Sequence, residues 1–170
     1  AKGRLTEADK AATLGRIIAT TELTQAKDCD LVIEAIIENR QAKMDLYRQL
    51  EEICPPHVFF ASNTSSIPIT ELATATKRPD RFAGMHFFSP VPVMKLVEII
   101  RGLKTADATI QVIRELTERI GKVGVFVKDG PGFLVNRVNA ALRNEVYNCL
   151  AEGVATIEDI DKALKFGLGH

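Results

Sequence analysis

The sequence predicts an α/β fold, in which a mainly parallel sheet with an antiparallel edge is followed by the start of an all-helical region. Three observations carry that prediction. Residues 31–37, Leu-Val-Ile-Glu-Ala-Ile-Ile, form an almost uninterrupted apolar run of strand length, the pattern of a central strand covered on both faces. Residues 39–54 then place Met44, Leu46, Tyr47, Leu50 and Ile53 at helical spacing until Pro55 and Pro56 stop the pattern. Residues 58–62 are a second buried run, so strand, helix and strand make one crossover unit whose two strands run parallel.

The remaining elements follow in order. Thr6 before Glu7, Ala8, Asp9 and Lys10 is a hydroxyl cap with acids in the first turn, which predicts a helix to about Ile17. Thr20, Thr21 and Leu23 predict a short strand. Residues 69–75 read as a short helix, and 82–88 and 96–100 as strands joined across Pro90-Val91-Pro92. No helix fits between those two strands, so the second returns antiparallel. Ile110, Ile113, Leu116, Thr117 and Ile120 line one side of an amphipathic helix over 106–120, and 123–127 is the last strand. Asp129-Gly130-Pro131-Gly132 breaks both periodicities, after which only helices are predicted, at 133–150 and 157–166. Residues 1–129 are therefore expected to form an α/β domain, and 130–170 the start of a helical one.

Composition narrows the partners. Among 170 residues, 22 Lys and Arg balance 22 Asp and Glu, so no uniform field favours nucleic acid or an anionic membrane. The 46% hydrophobic and 26% charged composition belongs to a globular domain rather than a disordered chain, and no apolar run approaches the roughly 20 residues of a membrane span. Cys29, Cys54 and Cys149 are odd in number and widely spaced, which offers neither a disulfide framework nor a paired metal motif and makes a reducing compartment the default. The stretch from Ala1 to Glu7 lacks the apolar segment of a secretory signal, and both ends look abrupt, as in a piece of a longer protein.

Chemistry concentrates at a few positions. His86 lies in the apolar strand end Gly84-Met85-His86-Phe87-Phe88. A hairpin centred near Pro92 opposes residues whose numbers sum to about 184, which sets His86 across from Glu98. A carboxylate beside an imidazole holds one ring nitrogen's proton and raises the basicity of the other, the arrangement of a general base; a purely structural pair is the plainer reading. The polar segment Ser62-Asn63-Thr64-Ser65-Ser66 follows a parallel strand at the end where open α/β sheets bind ligands. Its serines can bond a ligand, or merely cap the next helix through Glu71. Asn136, near the start of the helix after Gly130-Pro131-Gly132, can meet an oxygen developing negative charge, or be simple surface. That glycine-rich linker reads as a hinge, because neither GxGxxG nor GxxxxGK[ST] occurs in the chain, and neither does GxSxG. His57 reads as loop, and His170 has no readable context.

The blocks from Asp30 to Ala35, Glu38-Asn39, Ser62-Asn63-Thr64-Ser65-Ser66, the run from His86 to Glu98, and Asp129-Gly130-Pro131-Gly132-Phe133-Leu134-Val135-Asn136-Arg137 together resemble the 3-hydroxyacyl-CoA dehydrogenase family, including its 3-hydroxybutyryl-CoA-specific members. The resemblance runs from about residue 2 to the end. It implies a partial Rossmann-type domain and NAD-dependent, reversible oxidation of an L-3-hydroxyacyl-CoA to the 3-ketoacyl-CoA, in fatty acid β-oxidation or butanoate metabolism. By that resemblance His86 would be the base, Glu98 its orienting partner, and Ser65 and Asn136 the groups that hydrogen-bond the substrate. Glu38, Lys43 and Asn63 would lie along NAD.

The resemblance further implies a homodimer formed through the helical C-terminal domain, and a cytoplasmic or mitochondrial-matrix location. Two departures stand out. Ser89 replaces the Asn that many relatives carry, and the family's opening strand and GxGxxG turn are not in this sequence. From that second departure, an isolated 170-residue chain is expected to bind NAD poorly. A non-catalytic acyl-CoA-binding or dimerising module is the alternative.

Overall fold

The computed structural model describes residues 6–169. Helix α1 (Glu7–Leu14) opens with a reciprocal cap between Thr6 and Asp9 and ends three residues before the expected Ile17, where the bonds relax into three-residue turns at Arg16 and Ile17. The strand expected around Thr20 to Leu23 is not formed. Thr20 Oγ1 accepts from the Glu22 amide and turns the chain into a 3-10 helix, Leu23–Asp28. Leu23 and Ala26, three apart and hence on one side of such a helix, pack against the core.

Five strands follow: β1 (Leu31–Glu34), β2 (Phe59–Ser62), β3 (Phe82–Phe87), β4 (Leu96–Arg101) and β5 (Val123–Lys128), hydrogen-bonded in that order. Strands β1, β2 and β3 are mutually parallel, β4 runs antiparallel to β3, and β5 runs parallel to β4. The antiparallel edge is thus two strands wide. Among the described residues β1 pairs with β2, and Ile33 and Ile37 are exposed. Its apolar composition reports buried-strand chemistry, whereas its place in the sheet is set by which strands are present to pair with it.

Helices α2 (Arg40–Ile53), α3 (Ile69–Ala73) and α4 (Asp107–Arg119) connect the strands. Period-two alternation divides the core. Phe60, Phe82 and Ile100 meet Tyr47, Leu50 and Leu72 on one face, while Ala61, Ala83, Met85, Val97 and Ile99 meet Ile110 and Ile113 of α4 on the other. Gly84 is required at the first face, since a Cβ there would stand 2.7 Å from Ile100 Cβ and 2.8 Å from Ile69 Cγ1. The α2 C-terminus is closed by the buried Arg78 guanidinium, which donates to the Cys54 and Pro55 carbonyls and pairs with Glu51.

After β5, Gly132 (φ +71°) and Phe133 (φ +49°) are both left-handed, which delays helix α5 (Val135–Ala151) two residues past its expected start. Helix α6 (Ile157–Ala163) runs into a π-helical turn, Leu164–Leu168, that occupies the rest of the last expected helix. No helix among the described residues is long and apolar enough to cross a membrane. His170 lies outside the described residues.

Candidate active site

Strands β3 and β4 pair with Gly84 opposite Ile100, Met85 opposite Ile99, His86 opposite Glu98 and Phe87 opposite Val97. The opposition deduced from the Pro92-centred hairpin is therefore the one formed. Because directly opposed residues share a face, both side chains project to the side of Phe82 and Ile100, and His86 Nδ1 lies 2.7 Å from Glu98 Oε2. Glu98 is 1% exposed and His86 7% exposed. The second oxygen of Glu98 accepts from the amides of Leu134 (3.1 Å) and Val135 (2.8 Å), so the carboxylate has two backbone donors besides the imidazole. Phe88 and Phe133 flank the imidazole, with ring centroids 4.6 and 5.9 Å away. Nε2 has no hydrogen-bond partner among the described residues. The dyad is thus a buried, oriented imidazole with one nitrogen committed and one available.

Loop 62–66 comes next. Asn63 Oδ1 accepts from the Phe87 amide at 2.8 Å, which ties the loop to the residue after His86. Asn136 Nδ2 donates to the Ser65 carbonyl at 3.3 Å, which ties the loop to the second residue of α5. Neither Ser65 nor Ser66 caps α3, whose N-cap is Pro68. That duty falls to Asp129, whose two oxygens accept from the Ile69 (3.0 Å) and Thr70 (2.7 Å) amides across the fold. The serines instead face Glu38: its Oε1 accepts from Thr64 Oγ1 (2.5 Å), the Ser65 amide (2.9 Å) and the Ser66 amide (3.2 Å). Burial alone would push the Glu38 carboxyl up; the Thr64 and Ser65 hydrogen bonds and the Lys43 ammonium outweigh it and bring the group down to about 2.

Lys43 is enclosed. It is 1% exposed, with Nζ 2.6 Å from Glu34 Oε1 and 3.3 Å from Glu38 Oε2. Glu34, Thr64 and Asp129 were not singled out in the sequence as site residues. For Glu34 a signal was present, since one acid in the apolar run 31–37 must find a buried cation, and Lys43 lies one helical turn into α2. As for a dinucleotide, half-exposed Glu38 and the Asn63 side-chain amide, whose nitrogen has no partner among the described residues, offer an acceptor and a donor beyond the C-terminal ends of β1 and β2. Those residues fit a hydroxyl- and amide-bearing cofactor there.

A mainly parallel five-stranded α/β sheet, with an oriented histidine near the C-terminal end of β3, is a sheet of the Rossmann type. Two family models match the chain, 3-hydroxyacyl-CoA dehydrogenase, NAD binding domain, over residues 1–130, and 3-hydroxyacyl-CoA dehydrogenase, C-terminal domain, over residues 132–170. The chain belongs to the 3-hydroxyacyl-CoA dehydrogenase family. It is 52% identical over 169 residues to a probable 3-hydroxybutyryl-CoA dehydrogenase of Deinococcus radiodurans, covering 99% of this chain and 60% of that one. It is 45% identical to the human mitochondrial hydroxyacyl-coenzyme A dehydrogenase, covering 93% of this chain and 51% of that one. The crystal structure of (S)-3-hydroxybutyryl-CoA dehydrogenase from Ralstonia eutropha superimposes with a TM-score of 0.93 at 49% identity, covering 98% of this chain and 59% of that one. The chain therefore spans about 60% of the length of the first of these curated relatives.

Proposed function

We propose that this chain carries the dyad-bearing portion of an NAD-dependent 3-hydroxyacyl-CoA dehydrogenase, which reversibly oxidises an L-3-hydroxyacyl-CoA to the 3-ketoacyl-CoA and accepts short-chain 3-hydroxybutyryl-CoA. The observation that carries the reading is the buried contact of 2.7 Å between His86 Nδ1 and Glu98 Oε2. With Glu98 as acceptor, the neutral imidazole keeps its proton on Nδ1 and its lone pair on Nε2. Nε2 then takes the hydroxyl proton during oxidation and returns it to the 3-oxygen during reduction. Glu98 stabilises the imidazolium that forms in between, and a base so placed contributes on the order of 10² to 10⁴-fold. NAD, when bound, supplies the hydride acceptor.

Ser65 and Asn136, already joined through the Ser65 carbonyl, supply a hydroxyl and a carboxamide to orient the substrate's 3-oxygen. Glu38, Lys43 and Asn63 serve the cofactor, with Lys43 bridged to Glu38 Oε2. Residues 130–170 begin a helical domain whose exposed Val138, Tyr147, Leu150 and Ile157 suit a second copy of the chain. Three free cysteines suit a reducing compartment such as cytoplasm or mitochondrial matrix.

The test is reduction of acetoacetyl-CoA by the protein that carries this sequence, followed as loss of NADH absorbance. Turnover abolished by substitution of His86 supports the reading. A folded protein that binds acyl-CoA yet consumes no NADH overturns it in favour of a non-catalytic acyl-CoA-binding module.

A further inference from the structure

We infer that Glu34 is a positioning residue, a buried carboxylate that sets loop 62–66 and Glu38 from beneath, and thereby the affinity for substrate and cofactor. The inference rests on the proposed roles of Ser65 and Glu38.

Glu34 ends β1 with its side chain fully enclosed. Oε1 accepts from Lys43 Nζ (2.6 Å) and from the Ile36 amide (2.7 Å), and Oε2 accepts from Ser62 Oγ (2.6 Å). Two routes lead from it to the same residues. Along the first, Lys43 Nζ bridges to Glu38 Oε2, and Glu38 Oε1 gathers the Ser65 and Ser66 amides. Along the second, Ser62 Oγ, while donating to Glu34, accepts from the Thr64 amide at 3.2 Å, and the Thr64 hydroxyl in turn donates to Glu38. Both routes converge on residues 64–66, so moving the Glu34 carboxylate shifts the loop at two points at once.

The charge count explains why an acid is needed. One enclosed ammonium lies between two carboxylates, only one of which is enclosed. Without Glu34 the ammonium keeps the Ile36 carbonyl at 3.3 Å and, as its one remaining carboxylate, the half-exposed Glu38, and an enclosed cation without its enclosed partner draws on whatever carboxylate remains. Glu38 would then follow Lys43 instead of the serine amides. The His86–Glu98 dyad shares no hydrogen bond with this network.

Glu34→Gln preserves volume and an acceptor for Ser62. In the protein carrying this sequence, it should speed amide hydrogen exchange at Ser65 and Ser66 by about tenfold, roughly one charge-assisted hydrogen bond. Met85 and Ile99 amides should be unaffected. KM for acyl-CoA and for NAD should rise by a similar factor, while kcat, which rests on His86 and Glu98, changes far less. The double variant Glu34→Gln with Lys43→Met removes the orphaned cation but also the bridge that holds Glu38 from beneath; it should recover thermal stability but keep the fast exchange and raised KM. Wild-type exchange and KM in Glu34→Gln, or their return in the double variant, would show that Glu34 is a counter-ion only. If exchange at Ser65 and Ser66 quickens in a protein with no dehydrogenase activity, the functional reading fails while the positioning stands.

Discussion

Glu98 holds His86 by one carboxylate oxygen and the first turn of α5 by the other. The same side chain therefore orients the imidazole and fastens the helix that follows the Gly130-Pro131-Gly132 linker. Removing either partner has separable consequences.

His86→Gln keeps a donor for Glu98 but cannot cycle a proton at this position. Turnover should fall by about 10² to 10⁴-fold with little change in melting temperature. Steady-state kinetics beside thermal unfolding reads both, and turnover within a few-fold of wild type would remove His86 from the mechanism.

Glu98→Ala should be worse for the fold. The His86 ring and two amides lose their shared acceptor at about 1 kcal/mol or more each, so this variant should unfold well below His86→Gln in a denaturant titration. Equal stabilities would mean that the bonds to Leu134 and Val135 contribute nothing.

Asp129→Ala deletes the carboxylate that caps α3 from a distance of about 60 residues in sequence. A lost cap of this kind costs on the order of 1–2 kcal/mol. Asp129→Asn, which retains one acceptor, should lose less, and chemical denaturation of the pair checks the order.

Acid stability should carry the mark of Glu38. Its carboxyl is lowered from 4.5 to about 2 in the folded protein, so the unfolded state binds the proton first as pH falls. The stabilisation it contributes is present above pH 4.5 and is lost as the pH drops toward 2. Comparing wild type with Glu38→Gln across this window should give stability curves that converge toward its lower end. Curves that stay parallel would exclude Glu38 as a source of acid sensitivity.

Much of the site was legible before the fold was known because its central pair is local. His86 and Glu98 lie on neighbouring strands, and two prolines mark the turn between them, so counting outward from Pro92 finds the partner. The segment around Thr20 misled because threonines favour strands, yet the Thr20 hydroxyl bonds the chain two residues on and starts a turn. The serines of loop 62–66 were visible as hydrogen-bonding groups, but their partner Glu38 lies more than 25 residues earlier in the chain.

The sequence by itself determined the succession of strands and helices from Leu31 onward, the opposition of His86 and Glu98, and the family. The first two follow from hydrophobic period and turn residues, which act over a dozen residues or fewer, and the family from motifs that keep their order along the chain. Only the tertiary structure decided that Asp129 caps α3, that Glu98 also fastens α5, and that Glu34 and Lys43 lie beneath Glu38. A buried charge or an open helix end takes whichever partner packing brings within about 3 Å, and that partner comes from elements far apart along the chain.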